Sequence, residues 1–323
     1  MEPTNQEIIM KVPIDWRPQA IRIFSIFFVV VGHMFFTTGY LLNDAIAEPL
    51  IWLGGVAIGA FIMCSGYVHG LKDEFNKPGS LNRSTFVKFF KGRFFRLYIG
   101  YYLALIAVLI AKLLAGFSIS FSATGIVWGN ANPIVISPLS LVLDLTCTWP
   151  LFTAATGGIW CEGWFICAIM VLSFAYPVFR RLYSMNRYYL YSIMIALFLV
   201  RLFFIFFINA NYAYFFPFAW TAEFSFGIIL GDRVRRSGGP KPPSASYQRI
   251  IITAAERVWP LYLFHMVVIV FMTTPLLYGG QPRAPYWEFL IAVAAILVVT
   301  ECFHRMLGVI NKKLGVKKKR PLN

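Results

Sequence analysis

Arg22 and His33 stand eleven residues apart in AIRIFSIFFVVVGHMFF, residues 20–36, and everything between them is apolar except Ser25 and Gly32. Eleven residues are close to three helical turns, so on a helix both side chains point along one face, roughly 16 Å apart along the axis. An ionisable group inside an apolar run is costly and marks a functional site by default. Imidazole titrates near neutrality, so His33 is suited to take a proton from a hydroxyl and return it to a leaving group. A histidine in this position also serves as a hydrogen-bonded packing contact between helices, and its neighbours decide between the two uses.

Several other groups could contribute chemistry. FIMCSGYVHG, residues 61–70, contains Ser65 and Gly66, small enough for a close helix approach or for a gap beside a substrate, with Tyr67 as a polar handle. His69 is read as an interface residue. FFKGRFFRLYIG, residues 89–100, sets Arg93 and Arg96 one turn apart at the start of an apolar segment, beside Lys88 and Lys91. Guanidinium forks at the start of a helix favour phosphate, and the same side chains serve as snorkelling anchors. GGIWCEGWFICAIM, residues 157–170, places Glu162 between Trp160 and Trp164. The tryptophans suit a membrane–water interface, and a carboxylate between aromatic rings also suits a sugar. Glu223 and Arg201 lie in neighbouring apolar runs and are able to pair. His265 is a second histidine within an apolar run, and Glu301 in the last run suits the orientation of an arginine. No Walker sequence, dinucleotide fingerprint or nucleophile elbow is present. The five cysteines show no metal-ligand spacing and no disulfide framework, so no metal is expected.

These residues must be positioned by membrane helices. The chain has 323 residues, 59% hydrophobic and only 13% charged, against roughly 25% charged for a soluble protein. The expected fold is an all-α polytopic membrane bundle of eight to ten transmembrane helices. Spans are expected near residues 20–41, 50–71, 94–115, 159–179, 188–208, 213–231, 250–274 and 286–307. Residues 118–153 contain either no full crossing or an extra pair. No cleaved signal peptide is expected at the amino terminus. The net charge of +15 suggests nucleic acid at first sight, but 25 of the 29 lysines and arginines fall in five segments, 1–22, 72–96, 180–187, 233–249 and 305–320. Placing all five on one side satisfies the positive-inside rule, so both termini are expected in the cytoplasm and no nucleic-acid partner is expected. The domain division is a cytoplasmic segment over 1–19, a membrane-embedded domain over 20–307 and a basic tail over 308–323.

Taken in order, these elements resemble the acyltransferase-3 family of integral membrane acyltransferases. The matching elements are Arg22 and His33; Ser65, Gly66 and Tyr67; Arg93 and Arg96; WFI from Trp164; FGIILG from Phe226; LYLFH ending at His265; and Glu301. The resemblance implies transfer of an acyl group, most often acetyl, from cytoplasmic acyl-CoA to a hydroxyl of a carbohydrate such as a cell-surface polysaccharide or its lipid-linked precursor. It implies an inner-membrane, multi-pass protein that works beside polysaccharide assembly proteins. His33 becomes the catalytic candidate, and Arg22, Arg93, Arg96, Ser65, Gly66 and Tyr67 become the acyl-CoA-binding candidates. Glu162, Trp160, Trp164, Glu223, His265 and Glu301 remain for the acceptor. Gln19 departs from the family pattern, because an acidic residue usually stands three positions before the first arginine. A different reading, a transporter or flippase for a sugar or lipid intermediate, is supported by Arg201, Glu223 and Glu256.

Overall fold

The computed structural model describes residues 14–38, 44–72, 75, 82–122, 134–152, 159–208, 210–272 and 286–313. The residues expected to form most of the amino-terminal segment (1–13) and most of the basic tail (314–323) lie outside this set, as do parts of the 118–153 segment. The helices are α1 (Trp16–Thr38), α2 (Asp44–Lys72), α3 (Arg83–Leu114), α4 (Pro138–Thr146), α5 (Trp149–Phe152), α6 (Trp164–Met185), α7 (Arg187–Phe203), α8 (Ala210–Phe215), α9 (Thr221–Arg236), α10 (Ser246–Ala255), α11 (Val258–Met272) and α12 (Tyr286–Lys313). Two three-residue strands, β1 (Ile119–Phe121) and β2 (Ile134–Ile136), pair in parallel.

Among the described residues, six helices are long and apolar enough to cross a membrane, or seven if α10 and α11 form one broken span with a 49° bend. This is fewer than the eight to ten expected, for two reasons. The span expected at 213–231 is broken: α8 stops at Phe215, Pro217 opens a 3₁₀ turn, and α9 starts afresh at Thr221. Proline has no N–H to continue a helical ladder. The apolar stretch 137–152 forms α4 and α5 rather than a crossing. Nine residues of α4 rise only about 14 Å, half of a hydrocarbon core about 30 Å thick.

Lipid replaces water around the bundle, so apolar character does not separate outside from inside. The apolar window of α7 has none of its residues buried, whereas α6 is two-thirds buried. The interior is built where α3, α6 and α11 meet, with Tyr101, Val108, Ile166, Leu172, Leu263 and Phe264 fully enclosed.

The closest helix pair is α2 with α9, and the sequence dictates it. Gly66 and Gly70 on α2 face Gly227 and Gly231 on α9, two small-xxx-small pairs. A Cβ on Gly66 would stand 1.9 Å from the Phe224 carbonyl oxygen, and one on Gly227 would stand 2.0 Å from that of Met63. The backbones therefore touch at a distance only glycine permits.

Candidate active site

α1 and α2 run antiparallel, and their contacts give the depth of each site residue. Tyr67 donates a hydrogen bond to Asp15, and the Cys64 thiol meets the Pro18 carbonyl. Asp15 also accepts from the Arg17 backbone N–H at 3.0 Å, in the manner of an N-cap, and from the Arg17 guanidinium. Tyr67 is therefore a fastener between the start of α1 and the end of α2. Burial pushes the Asp15 carboxyl up, but the hydrogen bonds from Arg17 and Tyr67 outweigh it and hold the group below its usual value of 3.8. A lowered folded-state pKa gives stability that is complete above that usual value and is lost as pH falls through the folded one. Thermal melts at pH 7 and pH 3 are expected to show an acid-dependent loss of stability, and Tyr67→Phe is expected to shrink it.

Arg22 lies about two turns further along α1 than Asp15, level with Phe61 of α2. Its guanidinium donates to the Gln19 side-chain oxygen at 3.0 Å and sits 5.2 Å from the centre of the Phe61 ring. Gln19 thus orients Arg22 from the position where the family pattern has an acid, but without neutralising it. Among the described residues, no carboxylate pairs with Arg22.

One turn along α2 from Phe61, Ser65 Oγ accepts from Arg93 at 3.1 Å, and Arg93 also donates to Ser173 Oγ on α6 at 3.2 Å. Ser173 also meets His69 Nε2 at 3.3 Å, and Tyr176 donates to the His69 carbonyl. His69 is buried and stacked on Tyr176, so it is an interior residue rather than the interface residue expected. Arg96, one turn further along α3, is exposed. The gap anticipated at Gly66 is filled by the α9 backbone, while Ser65 is drawn into the arginine network.

His33 lies roughly three turns from Arg22 along α1. Its Nδ1 is 2.9 Å from His265 Nε2 on α11, and the two rings stack at 5.0 Å and 24°. The Glu162 carboxylate exerts its charge on His33. Glu162 is buried, and its Oε2 has no hydrogen-bond partner among the described residues. Its backbone carbonyl accepts from the Tyr262 phenol, one turn before His265. Eleven residues separate Glu162 from Ser173, the same number that separates His33 from Arg22. Glu162 sits in the 3₁₀ turn Cys161–Gly163 that leads into α6. Along α1, His33 and Arg22 are separated by roughly 16 Å, and the chain from that turn into α6 runs a similar number of residues from Glu162 to the Ser173 that meets Arg93.

A family model for an acyltransferase domain matches residues 15–246. The chain belongs to the acyltransferase-3 family. No curated protein and no solved structure matches it. The matched stretch of this acyltransferase holds His33, Glu162, Arg22, Arg93 and Arg96 but stops before His265. Sequence reasoning named His265 without assigning it a partner, since 232 residues separate it from His33. It passed over Ser173, which looks like an ordinary small residue in an apolar run.

The remaining candidates of the acyltransferase are placed apart from His33 or in structural roles. Trp160 stacks on Tyr101 and Trp164 on Trp220; both are buried inside the protein rather than forming an interfacial belt. Glu223 pairs with Arg201 at 2.6 Å, and that guanidinium lies over Trp220, tying lipid-facing α7 to α9. Two of the three charges that supported a transport reading, Arg201 and Glu223, thus pair with each other. Glu301 pairs with Arg257 at 2.8 Å and with Arg305 at 2.9 Å, bracing α12 against the α10–α11 bend. Cys147 is a free thiol, and the Cys161 side chain lies outside the described set. Among the described residues, no group of His, Cys, Asp and Glu is arranged to hold a metal.

Proposed function

We propose that this acyltransferase moves an acyl group, acetyl in the first instance, from acyl-CoA to a hydroxyl of a carbohydrate acceptor. The observation that carries the reading is the spacing of the two ends of the site. Arg22 and Arg93 form a cationic end, and the part-buried His33 imidazole, within electrostatic reach of the buried Glu162 carboxylate, forms the other, three helical turns away from Arg22. The reach from the phosphates of CoA to its thioester is on the order of those three turns.

The residues suit the donor. Arg22 carries a partly buried charge met only by neutral groups, and a guanidinium so placed favours a phosphate oxygen. Arg93 meets α2 at Ser65, one turn from the Phe61 ring that Arg22 lies over, and donates to two hydroxyls. At the other end, His33 takes the proton of the acceptor hydroxyl as the oxygen attacks the thioester carbonyl carbon. The carbon–sulfur bond breaks, and His33 returns the proton to the departing thiolate. The Glu162 carboxylate stabilises the transient imidazolium, and its second oxygen is placed to accept from a hydroxyl of the acceptor. In the cell, we place the five basic segments, both termini and the cationic end of the site on the cytoplasmic side of the inner membrane, as the charge distribution favours. The acceptor then meets His33 from the far side as a surface polysaccharide or its lipid-linked precursor.

The test is transfer of radiolabelled acetyl from acetyl-CoA to glycan acceptors by the purified protein in vesicles. Movement of a sugar or lipid without acyl consumption would overturn the proposal. The Arg93→Ala/Arg96→Ala double variant is expected to raise KM for acetyl-CoA about 10- to 100-fold. That corresponds to loss of one charge-assisted hydrogen bond, about 1.5–3 kcal/mol. An unchanged KM removes the arginines from donor binding.

A further inference from the structure

We propose that His265 is the positioning residue that determines which nitrogen of His33 accepts the proton, an inference that rests on the acyl transfer proposed above. His265 is fully buried on α11, outside the matched part of the chain. Its Nδ1 lies 2.7 Å from the Tyr262 carbonyl oxygen. A carbonyl only accepts, so His265 Nδ1 carries the hydrogen and donates it. Neutral imidazole has one ring hydrogen, which leaves His265 Nε2 as an acceptor. That Nε2 faces His33 Nδ1 at 2.9 Å. His33 must therefore donate from Nδ1, and its one lone pair is on Nε2.

The chain of constraint runs from backbone to base without a free choice. The other His33 tautomer would set two lone pairs against each other at hydrogen-bond distance. The Tyr262 carbonyl belongs to a helix whose next turn holds His265, so the acceptor that orients His265 is part of α11 itself. Tyr262 is fixed in turn by its phenol, which donates to the Glu162 carbonyl. The stacking of the two imidazoles sets the plane of the His33 ring. When Nε2 takes the acceptor's proton, His33 becomes an imidazolium whose Nδ1–H still points at His265 Nε2. The partner stabilises the cation without taking the proton, and the proton on Nε2 passes to the thiolate that leaves.

The experiment compares His265→Gln, His265→Leu and His265→Lys in the full chain, in vesicles with acetyl-CoA. Glutamine presents an oxygen acceptor near the former Nε2, leucine presents none, and lysine presents only donors. Loss of an orienting partner of this kind costs about 10- to 100-fold in activity. The leucine variant is expected to lose kcat in that range with KM for acetyl-CoA within about twofold, and the lysine variant to lose at least as much. The glutamine variant is expected to recover most of the loss. In ¹⁵N spectra of the four histidines, wild-type His33 is expected to show an unprotonated Nε2, and the leucine variant a mixture of tautomers. Wild-type kcat in the leucine variant, no rescue by glutamine, or an unprotonated Nδ1 on wild-type His33 would each overturn the proposal. The spectrum of the wild-type protein decides even where a variant does not fold. Full transfer by His33→Ala would instead remove the acyl-transfer reading on which the proposal rests. Loss of transfer in His33→Ala with an unresponsive His265 series leaves that reading standing and removes only this one.

Discussion

His33→Ala is expected to lower the rate of acyl transfer by about 10²–10⁴-fold while leaving the protein folded. That range is the contribution of a positioned general base. Nothing else at this end of the site replaces it. In the variant His265 Nδ1 stays bound to the Tyr262 carbonyl, and its Nε2 is set back from the acceptor hydroxyl by the depth of the missing His33 ring. The structural cost is small by comparison. Removing the His33 ring leaves His265 Nε2 without its donor, which costs about 1–3 kcal/mol. The two effects are read separately: radiolabel transferred from acetyl-CoA reports the chemistry, and the thermal midpoint reports the fold. Transfer at the wild-type rate would end the assignment of His33 as base. A collapse of the thermal midpoint together with activity would identify His33 as a packing residue.

Gly66→Leu is expected to leave no stably folded protein, although Gly66 lies next to Ser65 of the Arg93 network. The first carbon of the new side chain would fall 1.9 Å from the Phe224 carbonyl oxygen and 2.8 Å from its carbon. Both are backbone atoms of α9 and have no rotamer by which to retreat. α2 and α9 must separate, and Gly70, Gly227 and Gly231, each with backbone of the facing helix within 3 Å of a built Cβ, lose their contacts with it. Overpacking of a tight interior costs about 1–3 kcal/mol even where side chains can yield, and here they cannot. Gly92→Leu is the control, because a Cβ there meets nothing within 4 Å. Thermal melts of both variants in the same detergent are the measurement, and equal midpoints would overturn the packing role of Gly66. Loss of activity in a Gly66 variant without this measurement says nothing about donor binding.

Both outcomes bear on what could be read from the chain in advance. The Arg22–His33 interval was legible because it lies on one helix, where covalent geometry and a 3.6-residue period convert sequence spacing into distance. The Glu162–Ser173 interval runs from a 3₁₀ turn into α6, and Ser173 carries no sequence signal, so that interval emerged only with α6 in place. Ser65 and Gly66 suggested a close approach, but not which helix makes it, and the partner glycines Gly227 and Gly231 were recognised as such only in the structure. The Trp160 and Trp164 rings were misplaced for a related reason. Hydropathy cannot separate a face turned to lipid from one turned to protein, since both are apolar.

The sequence by itself determined a multi-pass helical protein, its acyltransferase-3 membership, and the separation of a basic group from a histidine along α1. Only the tertiary structure decided that His33 faces His265, that Arg93 is gripped by Ser65 and Ser173, that Gln19 orients Arg22, and that residues 213–231 break instead of crossing as one helix. The first two depend on the register between helices far apart in the chain, whereas the Gln19 contact is one turn within α1 and the break is local to Pro217. That register is set by packing at points such as the α2–α9 glycines and the α11 contacts to α1, α3 and α12, and no local period encodes it.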